Sequence, residues 1–78
     1  MAKKETFGQR LRRIRQARGI SLPKAAQAAG ISKAYLSRIE RDEFAPPAED
    51  KIRALARLLD QNEDALLFLG GRIPSDRS

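Results

Sequence analysis

Gly19 to Arg41 read GISLPKAAQAAGISKAYLSRIER, and this stretch decides the fold. Two short helical patterns meet there at Gly30, each with its own serine start signal. Ser21 stands ahead of Leu22 to Ala29, and Pro23 falls in the first turn, where its missing N–H costs little. Ser32 stands ahead of the second pattern, which continues to Arg41 or Asp42. The glycine between them predicts a sharp turn with positive φ, where a side chain would carry strain. The second helix buries Leu36 and Ile39 and turns Ala34, Ser37, Arg38 and Arg41 outward. A short helix held across another, with a small polar and basic outer face, fits a DNA major groove.

Working outward, Thr6-Phe-Gly-Gln9 is a capping box, and Phe7, Leu11, Ile14 and Arg18 share a helical face. Helix 1 is therefore expected from about residue 6 to Arg18, closed by Gly19. Ile31 can staple against Leu36 across the Ser32 cap. Asp42 to Pro47 is a loop, ended by two prolines. Helix 4 is expected from about Ala48 to Asp60, with Glu49 and Asp50 complementing the dipole and Ile52, Leu55, Ala56 and Leu59 buried. Asn62 caps a short helix 5 carrying Ala65, Leu66, Leu67 and Leu69, closed by Gly70-Gly71. The fold class is all-α, five helices and no strands. Residues 1–5 form a basic arm, 6–70 the domain and 71–78 a polar tail.

At 78 residues the chain makes one small domain. It has no cysteine, so no disulfide or thiolate site, which suits the cytoplasm. No apolar run approaches the roughly 18 residues of a membrane span, and Met1 to Glu5 is not a secretory signal. The net charge of +6 is unevenly placed. Residues 1–41 hold eleven Lys or Arg against Glu5 and Glu40, a balance of +9; residues 42–78 hold five basic and eight acidic groups, a balance of −3. The excess sits in the half with the two-helix motif and favours a polyanion there. No helix shows a broad apolar face free for lipid, so a membrane partner is not expected. There is no histidine, and the acidic residues are scattered through termini, caps and loops. No catalytic residue, metal, cofactor or small-molecule substrate is expected.

Four pieces stand in order: LRRIRQARGIS, AAQAAGIS, YLSRIER and RALARLL. In them the chain resembles the bacteriophage repressor/Cro (XRE-like) family of helix-turn-helix domains over residues 7–69. The resemblance implies a compact lambda-repressor-like domain, a homodimer on a roughly palindromic, inverted-repeat operator, and helix 3 as the recognition helix. By position it places Lys33, Ala34, Ser37 and Arg38 at base edges, and Arg15 and Glu40 in a largely buried ion pair joining helix 1 to helix 3. Three positions depart from the family pattern: Leu22 where many members carry Gln, Asp42 where a glycine is frequent, and Asp60-Gln61 where a glycine and an apolar residue are usual.

On that outer face, the fork of Arg38 matches guanine O6 and N7, a contact worth about 1–3 kcal/mol of base discrimination. Ala34 allows close approach and can touch a thymine methyl; Lys33 and Ser37 can reach base or phosphate. Phosphate candidates are Arg13, Lys24, Tyr35 and Arg41, with the free N–H groups where helices 2 and 3 start, at Leu22 and Ser32. One helix face cannot bury all of Leu66 to Leu69. Leu66, Phe68 and Leu69 are therefore candidates for a homodimer seam, Phe68 the most outward, with Phe44 as a second exposed aromatic. The expected function is sequence-specific binding of double-stranded DNA as a transcriptional regulator, a small repressor. At this length, control by concentration and dimerisation is simpler than a separate ligand-sensing domain, although the chain equally suits the DNA-binding part of a longer regulator. The alternative is a protein-interaction module, an antitoxin-like or adaptor subunit docking through helix 5.

Overall fold

The computed structural model describes residues 5–71. Five helices follow in order: α1 Phe7–Ala17, α2 Leu22–Ala29, α3 Lys33–Glu40, α4 Glu49–Leu58 and α5 Glu63–Leu69. No strand occurs among the described residues. Except for Glu5 and Gly71, the expected arm and tail lie outside the described residues.

Each helix begins where local chemistry satisfies its free donors. Thr6 Oγ1 accepts from the Gln9 N–H while Gln9 Oε1 accepts from the Thr6 N–H, both at 3.1 Å, a complete capping box. Ser21, Ser32 and Asn62 accept from the N–H three residues on, at 3.2, 3.0 and 2.8 Å. Ala48 offers α4 no such acceptor, and Glu49 and Asp50 supply negative charge to that first turn instead.

The ends are tighter than periodicity suggests, for one repeated reason. After α1, α2, α3 and α4 the chain passes through a left-handed residue, Gly19, Gly30, Asp42 and Asp60, with φ of 67°, 70°, 62° and 57°. In each case the following N–H returns to a carbonyl one turn inside the helix: Ile20 to Arg15, Ile31 to Ala26, Glu43 to Arg38 and Gln61 to Ala56, at 2.8–3.0 Å. Arg41 and Asp42 therefore cap α3 rather than continue it, and α4 stops short of Asp60. At Gly30 conformation, not space, is limiting, because an added Cβ would meet only the Lys51 ammonium, at 3.5 Å.

The core is shared by all five helices. Leu11 of α1, Leu36 and Ile39 of α3, Ile52 and Leu55 of α4 and Leu67 of α5 are fully buried, with Leu59 closing α4. Ala25, Ala26 and Ala29 let α2 lie close to α3 and α4. Burial of each large side chain contributes roughly 1.5–3 kcal/mol. The expected stripe of α4 is the observed one. Ile14 and Ile31 are half-buried against the core, and Arg18 lies outside it, 3.7 Å from Asp60.

Candidate nucleic-acid interface

Three contacts fix the position of α3. Its inner face, Leu36 and Ile39, is sealed in the core. Glu40, the third inward residue, is buried and held by Arg15: Nε donates to Oε2 at 2.7 Å and Nη2 to Oε1 at 2.9 Å. The remaining Arg15 fork, Nη1, donates to the Ile20 carbonyl at 2.9 Å, so the same guanidinium also braces the turn into α2. Third, α1 lies against the C-terminal end of α3, where a Cβ on Gly8 would come within 2.8 Å of the Glu40 carbonyl. Thr6 Oγ1 donates to Asp42 Oδ2 at 2.7 Å, tying the start of α1 to the residue that follows the α3 cap.

With the inner face committed, Lys33, Ala34 and Arg38 are exposed and Ser37 is half-exposed. Arg38 is not free-standing. Its Nη1 donates to Glu43 Oε1 at 3.1 Å, and its guanidinium carbon lies 5.8 Å from the centroid of Phe44. Tyr35 is half-buried, its ring 5.6 Å from that of Phe44 and tilted by 50°. Arg41 caps α3, with Nε 3.4 Å from Glu43 Oε2. Lys24 is exposed in the first turn of α2. The Ser32 hydroxyl oxygen is used by its cap and keeps its proton for an outside acceptor. At Leu22 the first-turn N–H lies ahead of any helical acceptor, as do those of Lys33 and Ala34.

Arg13, expected as a phosphate contact, is paired within the protein. It donates to Glu5, Nε to Oε2 at 2.7 Å and Nη2 to Oε1 at 3.1 Å, and with Arg10, Ala17 and Arg18 it lines a groove of 540 Å³ away from α3. That hydrogen bond holds the Glu5 carboxyl below its ordinary range, and Arg13 is pushed up in turn. The second cation of α1 beside α3, after Arg15, is Arg12. It lines a groove of 160 Å³ with Arg15, Leu22, Ser37, Glu40 and Arg41. The signal was available: on a helix Arg12 lies one turn below Arg15, whereas Arg13 is about 200° from it. Once Arg15 faces Glu40, the cation next to α3 has to be Arg12.

The apolar run of α5 also needs correction. Leu66 is 4% exposed and Leu67 is fully buried, so both belong to the core and Leu66 leaves little surface for a seam. Phe68 stands 63% exposed. Leu69 is half-buried and lines a groove of 110 Å³ with Arg10, Ile14 and Ala65. Phe44 is 46% exposed. Among the described residues no acidic or cysteine cluster could hold a metal, and no helix is long and apolar enough to cross a membrane.

Known proteins share this fold. A family model described as a helix-turn-helix domain matches residues 6–68. The HTH-type transcriptional regulator SinR of Bacillus subtilis (strain 168) is 37% identical over 61 residues, 78% of this chain and 55% of its own length. The chain thus spans about half the length of that curated relative. A crystal structure of SinR, a master regulator for biofilm formation, in complex with DNA superposes with a TM-score of 0.70 at 35% identity, covering 80% of this chain and 98% of that one. The P22 c2 repressor in complex with a synthetic operator superposes with a TM-score of 0.70 at 27% identity, covering 81% and 94%.

Proposed function

From a chain that belongs to the helix-turn-helix domain family of phage-repressor type, and is therefore a binding protein and not an enzyme, we infer a regulator that seats α3 in the major groove of double-stranded DNA. The observation that carries this reading is the division of α3 into two faces. Leu36, Ile39 and Glu40 are locked inward, and Lys33, Ala34, Ser37 and Arg38 are what remains for an outside partner.

In this reading Arg38 exchanges Glu43 for the O6 and N7 of a guanine, and Ala34 allows the backbone to approach a thymine methyl. Arg12, Lys24, Arg41 and the first-turn N–H groups of α2 and α3 hold the flanking phosphates and set the register. The similarity to SinR, solved in complex with DNA, and to the P22 c2 repressor, solved with a synthetic operator, supports double-stranded DNA as the partner. Phe68 and the half-buried Leu69 give a homodimer its seam, and the dimer reads an inverted repeat. Occupying such a site in the cytoplasm represses transcription by exclusion.

Selection of bound duplexes from a random pool tests the reading. The expected product is an inverted repeat with half-sites about one turn, roughly 34 Å, apart. Arg38→Ala should relax one position in each half-site by about 1–3 kcal/mol, and Arg12→Ala should lower affinity for all sequences, reducing the log–log salt slope by about 0.9. An Arg38→Ala protein that selects the same sequence removes α3 as the reading element.

A further inference from the structure

We propose that Glu43 sharpens specificity by occupying Arg38 and Arg41 in the free protein, so that DNA backbone alone recruits them less well than a matched base does. The proposal rests on α3 being the DNA-contacting helix. Three cations lie on α3 or cap it, Lys33, Arg38 and Arg41, and Glu43 engages the last two, at 3.1 and 3.4 Å. Phe44 closes on Arg38 from the same loop, and Tyr35 backs the Phe44 ring.

The placement is built into the backbone. Asp42 takes the left-handed conformation, and the Glu43 N–H donates to the Arg38 carbonyl at 2.9 Å. The carboxylate therefore leaves the chain beside the arginine it binds. Downstream the loop is anchored by Pro47, which is buried.

Binding to DNA backbone depends on how many phosphates the protein neutralises. A carboxylate shared by two of three cations lowers that number and carries a like charge toward the phosphates. A guanine edge offers Arg38 the same two-acceptor fork that a carboxylate or a phosphate offers, but O6 and N7 are neutral and do not repel Glu43. Both partners of the Arg38–Glu43 pair are about half exposed, 50% and 44% for the side chains, so water screens the pair and it exchanges readily. A matched base can displace Glu43; a phosphate has to do so against its charge. Glu43 thus widens the gap between matched and unmatched DNA without touching either.

The test measures fluorescence anisotropy across salt concentrations for wild type, Glu43→Gln and Asp64→Asn. The last makes the same change of net charge on α5. Each protein is titrated with a random-sequence duplex and with a duplex selected by the wild type. Glu43→Gln should bind the random duplex about tenfold tighter, with a log–log slope steeper by about 0.9, the value of one further phosphate. The selected duplex should gain less than about threefold, the guanine contact already having replaced Glu43. Asp64→Asn should reproduce neither change. Unchanged affinity and slope on the random duplex refute the proposal. So does weaker binding of the selected duplex alone, which would make Glu43 a brace that aims Arg38. A wild type that binds no duplex refutes the DNA reading itself; a wild type that binds, with Glu43→Gln unmoved, refutes only the role of Glu43.

Discussion

Glu40→Ala is expected to remove a large share of the folding stability, and the amount follows from the surroundings of the carboxylate. Arg15 gives it two charge-assisted hydrogen bonds, at 2.7 and 2.9 Å, and the two side chains are only 4% and 11% exposed for Glu40 and Arg15. Desolvation offsets most of the attraction in such a pair, so the intact pair adds little. Removing one partner is different: the Arg15 guanidinium would stay in place, held by the Ile20 carbonyl, with no counter-charge and little water. The cost is about 3–5 kcal/mol. A domain of 78 residues has roughly 4–12 kcal/mol in total, at about 0.05–0.15 kcal/mol per residue. At about 4–8 °C per kcal/mol, the melting temperature should fall by at least roughly 12 °C. Circular dichroism melts and urea titrations of wild type, Glu40→Ala, Arg15→Met and the double Arg15→Met/Glu40→Leu variant measure this. The double variant should be more stable than either single, because it leaves no charge stranded. A Glu40→Ala loss below about 1 kcal/mol, or a double variant whose loss equals the sum of the singles, would refute the account of the pair.

Gly8→Ala should destabilise despite the better helix propensity of alanine. Its Cβ would press first on the Ile39 carbonyl, then on the Asp42 carboxylate at 2.7 Å and the Glu40 carbonyl at 2.8 Å, and overpacking of this kind costs about 1–3 kcal/mol; an unchanged urea midpoint would show that α1 and α3 can part freely. Asp60→Gly should stabilise by about 1 kcal/mol, because φ of 57° suits glycine and the ion pair with Arg18 that disappears is weak and exposed, at 3.7 Å. A lower melting temperature in that variant would mean that Asp60 does more than turn the chain. Arg53 donates to Glu63 at 3.0 Å and holds its carboxyl below the ordinary range. The folded state therefore binds this proton less readily than the unfolded one: the pair's contribution is complete above the unfolded pKa and is lost as pH falls through the folded one. Urea midpoints followed from neutral pH into the acid range should decline, and Glu63→Gln should make the decline shallower; an equally steep decline would exclude Glu63 as a contributor.

What the sequence discloses is mostly what depends on neighbours within one turn. Thr6, Ser21, Ser32 and Asn62 cap residues three positions on, and Gly30 turns where a lone glycine separates two start signals, so these features can be read directly. The α4 stripe is readable because ten residues give the apolar period room to repeat. The seven residues of α5 do not, and four consecutive apolar side chains leave its rotation undetermined until the core claims Leu66 and Leu67. The Arg15–Glu40 pair spans 25 positions: periodicity puts each residue beside a core face, but only the family resemblance pairs them. Choosing Arg12 over Arg13 then needed only helix geometry, but it needed Arg15 to be oriented first. Glu43 had no such route. Its partnership with Arg38 depends on a left-handed residue outside any periodic pattern.

The two aspartates in left-handed positions show what that last dependence achieves. Asp60 merely ends α4, and its carboxylate is largely in solvent. Asp42 ends α3 by the same backbone turn, yet its side chain is engaged by Thr6, whose hydroxyl also accepts the Gln9 N–H. One hydroxyl thus serves the start of α1 and the end of α3. A glycine at position 42 would make the turn with less strain but would leave Thr6 without that acceptor and the loop without that tether. The tether matters because the next residue is Glu43, which stands between the two arginines of the α3 face. The strain of a non-glycine residue there is therefore coupled to the placement of a charge. If Glu43 acts as proposed, the device that terminates the helix also sets how strongly its outer face attracts phosphate.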